Sequence, residues 1–165
     1  MDTMIDQLNA ALRLENFNIW PHFISIFIAY MLALPIGWHR ERTERSAGLR
    51  TFPLVAMAGC AFIQATESLT TGSPEAMARI TEGVITGMGF IGGGAILKVK
   101  DSVRGTATAA SLWATGAIGI AAGLGTYDVA VMISLFTFVT LWMFSPKNGD
   151  AAKTDEDKQS ATEEK

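Results

Sequence analysis

The residues of this 165-residue chain that could do chemistry fall into two groups. The first is Gln64, Glu67, Glu82 and Asp128, with Arg79 among them, each near the end of an apolar segment. Carboxylates working with water are what a hard cation such as Mg²⁺ favours. The competing reading is that these side chains mark helix ends and pair with Arg79. The second group is the run Gly37-Trp-His-Arg-Glu-Arg-Thr-Glu-Arg-Ser-Ala-Gly-Leu-Arg-Thr51, in which Glu41 and Glu44 alternate with arginines and favour internal pairing. Arg50 directly precedes Thr51 and an apolar segment. It either snorkels to an interface or turns inward toward carbonyls and hydroxyls, with Thr106, Thr108 and Ser111 as candidate acceptors. The chain has no Ser–His–carboxylate set, no phosphate-binding loop with a following lysine, and no histidine pair at helical spacing. We therefore expect neither an enzyme nor a cofactor or metal site. The single cysteine, Cys60, excludes an intramolecular disulfide and a cysteine-built zinc site.

The glycines shape the next inference. Gly83, Gly87, Gly89, Gly92, Gly93 and Gly94 share one apolar run, although each interior glycine costs a water-soluble helix about 1 kcal/mol relative to alanine. In a bilayer no hydrophobic drive acts between helices, and small residues let backbones approach. The pairs Gly83-xxx-Gly87 and Gly89-xxx-Gly93 thus predict close helix contact. At Gly92–Gly94 a helix could also unwind and offer carbonyls to a ligand or a buried arginine. Thr115, Gly119 and Gly123 continue the small-residue theme, with Trp113 as the bulky exception.

These residues must be positioned by membrane helices. Hydrophobic types make up 49% of the chain and charged ones 18%, so long uncharged runs remain between clustered charges. A crossing needs roughly 20 apolar residues, and segments 19–38, 51–69, 80–97, 105–125 and 127–144 qualify. The fold class expected is all-α: a polytopic helical domain over residues 19–145 with about five transmembrane helices. Residues 1–18, where Ile5, Leu8 and Leu12 recur at helical spacing, read as an amphipathic interfacial segment and not as a signal peptide. Residues 146–165 read as a disordered polar tail. Arg40, Arg42, Arg45, Arg50, Lys98, Lys100, Arg104 and Lys147 lie on one side, and only Arg13 and Arg79 on the other. This asymmetry of eight to two puts the N terminus outside and the C terminus in the cytoplasm. A net charge of −3 without base-stacking clusters gives no sign of nucleic-acid binding.

Four ordered motifs resemble the MgtC/SapB family of bacterial inner-membrane proteins. They are Ile36-Gly-Trp-His-Arg-Glu41, Ala47-Gly-Leu-Arg-Thr51, Gly87-Met-Gly-Phe-Ile-Gly-Gly-Gly94 and Ser102-Val-Arg-Gly-Thr-Ala-Thr-Ala-Ala-Ser-Leu-Trp113. Together they nominate a functional motif of Arg40, Glu41, Arg50, Thr51, Gly87, Gly89, Phe90, Gly92, Gly94, Arg104, Thr106, Thr108, Ser111 and Trp113. The resemblance implies a non-enzymatic protein linked to magnesium limitation and, in pathogens, to virulence. It also implies a membrane-protein partner such as the ATP synthase. A small-solute carrier working as a homo-oligomer is the alternative. The chain departs from the family pattern at His39, Phe52 and Gly83, where an acidic residue, a histidine and a glutamine are usual.

Overall fold

The computed structural model describes residues 19–43, 47–70, 72–99 and 102–145. The expected interfacial segment 1–18 and tail 146–165 lie outside the described residues. Among the described residues five helices follow one another: α1 (Ile19–Thr43), α2 (Thr51–Thr70), α3 (Pro74–Gly94), α4 (Thr106–Gly123) and α5 (Tyr127–Met143). A short antiparallel hairpin of β1 (Leu97–Val99) and β2 (Ser102–Arg104) joins α3 to α4, with Leu97 opposite Arg104.

Helix α4 is the axis of the bundle, touching all four other helices. Around it the others form an arc in the order α5, α1, α2, α3. The composition is inverted relative to a water-soluble protein. The buried positions are dominated by Ala29, Ala33, Ala56, Cys60, Ala109, Ala121 and Ala122, with the hydroxyls of Ser25, Thr108, Ser111, Thr115 and Ser134. The exposed positions carry Phe23, Phe27, Phe62, Phe90, Leu135, Phe136 and Trp142. So much large apolar surface facing outward has a natural solvent in lipid. Helix α1 is long and apolar enough to cross a membrane by length and composition, and α5 is apolar but shorter.

The tightest seam lies between α2 and α4, where backbones nearly touch. A Cβ at Gly119 would stand 2.2 Å from the Ala56 carbonyl oxygen, and one at Gly59 would stand 3.2 Å from that of Gly116. Two hydroxyl contacts tie α5 to α1. Ser134 Oγ donates to the Leu32 carbonyl at 2.7 Å. Ser25 Oγ donates to the Pro21 carbonyl at 3.1 Å and lies 2.8 Å from Tyr127 Oη, whose hydroxyl can donate to it.

Three expectations need correction. The segment 80–97 begins earlier as a helix, at Pro74. Ser73 caps it, its hydroxyl accepting from Ala76 N at 3.3 Å, and Pro74 supplies a first-turn φ at no hydrogen-bond cost. The segment 19–38 continues as helix through Thr43, and Leu97, expected to end the third span, instead begins strand β1. Finally, Gly83, Gly87, Gly89 and Gly93 make no close helix contact: nothing lies within 4 Å of a Cβ built on any of them. Successive residues are rotated by about 100° on a helix, so only one stripe of α3 can meet α4. Met88 and Gly92, four apart, form it, with the Gly92 Cβ position 3.3 Å from the Ala109 carbonyl oxygen.

Candidate functional site

Most of the polar residues of the four motifs meet at one end of the bundle. The inner stripe of α1 runs through Ala29, Ala33 and Ile36 to Arg40, all buried. These spacings of four, three and four residues carry Arg40 inward with the apolar residues before it. Its side chain is only 4% exposed, and Nη2 donates to Thr108 Oγ1 on α4. An arginine head buried among helices is costly unless hydrogen-bonded, so this contact fixes α1 against the start of α4.

Neighbouring residues brace the same corner. Glu41 Oε2 accepts from Leu49 N at 2.9 Å, drawing the chain before α2 back onto α1. Gly48 leaves room for that contact, since a Cβ there would fall 1.8 Å from the carboxylate oxygen and push the Glu41 side chain aside. Thr51 N and Phe52 N both donate to the Gly48 carbonyl and start α2. Phe52 is fully buried against the Ile36–Leu112 cluster. On the other side Gly105 has φ +86°, and its Cβ would stand 1.9 Å from the Ala95 carbonyl oxygen. Only glycine tolerates both conditions, so the hairpin can close tightly between α3 and α4.

The remaining motif residues divide between support and surface. Ser111 Oγ bonds back to the Ala107 and Thr108 carbonyls, and Thr115 Oγ1 to the Ser111 carbonyl, so both hydroxyls are satisfied within α4. Thr106 and Arg104 are exposed, as are Gly87, Gly89 and Gly94. Phe90 is 86% exposed and Trp113 51%. Trp113 lies where the arc opens between α3 and α5, beside a cavity of about 270 Å³ lined also by Ile85, Met88 and Ile133.

Arg50 does not reach the acceptors that the sequence nominates. It is exposed, Thr108 is taken by Arg40, and the Gly92 and Gly93 carbonyls accept from Ala95 N and Ile96 N. Helix α3 does not unwind at its glycines; it ends there. The inward arginine is Arg40, and the spacing 29, 33, 36, 40 is the signal that identifies it. Arg50, with Thr51, instead edges an open groove of about 640 Å³ between α2 and α3.

The polar residues near the opposite end do not assemble a metal centre. Among the described residues no group of three or more His, Cys, Asp or Glu side chains could hold an ion. Gln64 lies in a small cavity with His22, Ile26 and Ala61, while Arg79, Glu82 and Asp128 are exposed. His39, at an acidic position of the family pattern, packs edge-on against Phe138 with ring centroids 6.1 Å apart.

A helical bundle with a small-residue interior, an apolar exterior and a braced polar end fits a membrane protein. The family model described as the MgtC family matches residues 26–149, and the chain belongs to that family. It is 37% identical over 121 residues to protein MgtC of Salmonella typhimurium, covering 73% of this chain and 51% of that protein. It is 38% identical over 128 residues to protein SrpB of Synechococcus elongatus, covering 70% of each. Protein MgtC of Brucella abortus is 35% identical over 118 residues, covering 72% of this chain and 49% of that protein. The chain thus spans about half the length of the MgtC relatives it matches. No solved structure matches it.

Proposed function

We propose that this chain is a non-enzymatic, multi-pass inner-membrane protein that adapts the cell to low magnesium by binding and modulating another membrane complex. The ATP synthase is the partner that the family resemblance implies, and a role in virulence is its counterpart in a pathogen. The observation that carries the reading is the construction of the braced end. Buried Arg40 and the Glu41 carboxylate fasten α1, α2 and α4 together, while Arg42, Arg50, Lys98 and Arg104 remain exposed around them. A rigid scaffold presenting cations suits recognition of an acidic surface, because complementary charge sets register and suppresses wrong partners. The distribution of lysine and arginine supports five crossings, with this end in the cytoplasm and the N terminus outside.

A second reading, an oligomeric carrier for a small solute or ion, draws on the uncovered glycine face of α3. Two assays separate the readings. Affinity capture from native membranes in mild detergent should recover a membrane complex, and a variant with Arg42, Lys98 and Arg104 all changed to Gln should lose it together with growth in low magnesium. Solute flux through liposomes holding the purified protein, with no partner recovered, would replace the modulator with the carrier.

A further inference from the structure

The groove between α2 and α3 has a shape and polarity that the modulator reading does not use. Its walls are Leu54, Val55, Phe62, Val84, Met88 and Ile91, and Gly83 and Gly87 line it without filling it. It opens outward, since Leu54, Phe62 and Ile91 are all half-exposed or more. Along α2 it runs from Arg50 to Phe62. Twelve residues at about 1.5 Å each give roughly 18 Å, a little over half of the roughly 30 Å hydrocarbon core. The groove is therefore about one leaflet deep. Its cationic group, Arg50, stands at the end where the basic segments cluster.

We propose that this groove is a phospholipid site of the cytoplasmic leaflet, holding one acyl chain between α2 and α3 with the lipid phosphate on Arg50. This inference rests on the membrane reading above. Charge complementarity selects the occupant. A phosphodiester followed by a saturated chain is anionic at one end and apolar along the rest, which matches the groove position by position. Arg50 can present two parallel N–H donors to phosphate oxygens, and Thr51 adds a hydroxyl beside it. A second copy fits less well. In a membrane both copies share one orientation, so a two-fold pairing of this face would bring Arg50 near Arg50 at the same depth.

Native mass spectrometry of the full chain in detergent, titrated with phosphatidylglycerol and separately with a neutral diacylglycerol of the same chains, tests the proposal. We expect one phosphatidylglycerol retained per chain and weaker retention of diacylglycerol. Arg50→Gln should weaken phosphatidylglycerol about tenfold, the loss of roughly one charge-assisted hydrogen bond. Gly87→Leu should abolish retention of both lipids with an unchanged melting temperature, because nothing lies within 4 Å of a Cβ at that position. Equal retention by wild type and Gly87→Leu would overturn the proposal. So would a dimer in wild type that Gly87→Leu converts to monomer, which would assign the groove to a second copy. Carbonate extraction of cell membranes separates the two levels: a protein that washes off refutes the membrane reading, and an embedded protein without groove lipid refutes the site alone.

Discussion

Gly119→Ala adds a single methyl group at the point where α2 and α4 approach most closely. That methyl would stand 2.2 Å from the Ala56 carbonyl oxygen and 3.0 Å from Cys60 N, both backbone atoms of the facing helix. An ordinary carbon-to-carbonyl contact is about 3.3 Å or more, so the helices must part by roughly 1 Å. A gap of that size forfeits between a quarter and a half of the dispersion attraction across the neighbouring pairs. Overpacking of this kind costs up to about 3 kcal/mol, and the alanine returns about 1 kcal/mol of helix propensity. The net loss of about 2 kcal/mol corresponds to a fall of roughly 4–8 °C in melting temperature for a chain of this size. Cys60 supplies the assay, because it is fully buried on this seam and is the chain's one cysteine. A maleimide dye that fluoresces on thiol capture should report melting in detergent. Gly89→Ala is the control: its methyl meets nothing within 4 Å, so its melting temperature should equal or exceed that of wild type. If Gly119→Ala melts no lower than Gly89→Ala, the α2–α4 seam is not the close contact described and the packing argument fails.

The other expectations concern the braced end and the membrane. Thr108→Val should destabilise by about 1.5–3 kcal/mol, since it removes a hydrogen bond to a buried cation. A double-mutant cycle with Arg40→Met, read by the same dye, should give a coupling energy clearly above zero, and additive losses would break the assigned contact. Glu41→Ala should speed hydrogen exchange at the Leu49 amide while Glu41→Gln, which keeps a carbonyl acceptor, should leave it slow; equal rates in both would remove Glu41 from the brace. A reporter active only in the cytoplasm should give signal when fused after Lys147 and none when inserted after Gly72, and the reverse pattern would invert the orientation.

Among the described residues the order of the helices is legible in the sequence because the apolar runs are bounded by charge, glycine or proline. The starts of α1, α2 and α5 at Ile19, Thr51 and Tyr127 coincide with the composition changes there. Contacts are less legible. A glycine signals that a close approach is permitted, and only helical phase decides whether it occurs. Gly92 and Gly119 meet backbone, whereas Gly83, Gly89 and Gly93 meet nothing. The same ambiguity separates Arg40 from Arg50. Both arginines flank an apolar segment, but Arg40 continues the buried stripe of its helix, while Arg50 precedes the first turn of its own. The paired strands 97–99 and 102–104 are too short for an alternating pattern to stand out, and the left-handed Gly105 that leads from them into α4 is a property of conformation and not of composition.

The division of labour between the two arginines also explains how one polar end can serve both stability and recognition. A charge that is to fasten helices together must be desolvated and hydrogen-bonded, and is then hidden from any ligand. A charge that is to recognise a phosphate or an acidic surface must remain exposed, and then contributes little to holding the fold. One side chain cannot do both. Here Arg40, at the end of an inward stripe, meets Thr108, while Arg50, ten residues later, is left at the edge of an open apolar groove. Glu41 and Gly48 link the two by drawing the intervening chain onto α1, so the position of Arg50 is set by the same brace that buries Arg40. Loosening the brace should therefore displace the exposed cation without removing its charge. Recognition would then weaken in Thr108→Val even though every exposed charged residue is retained.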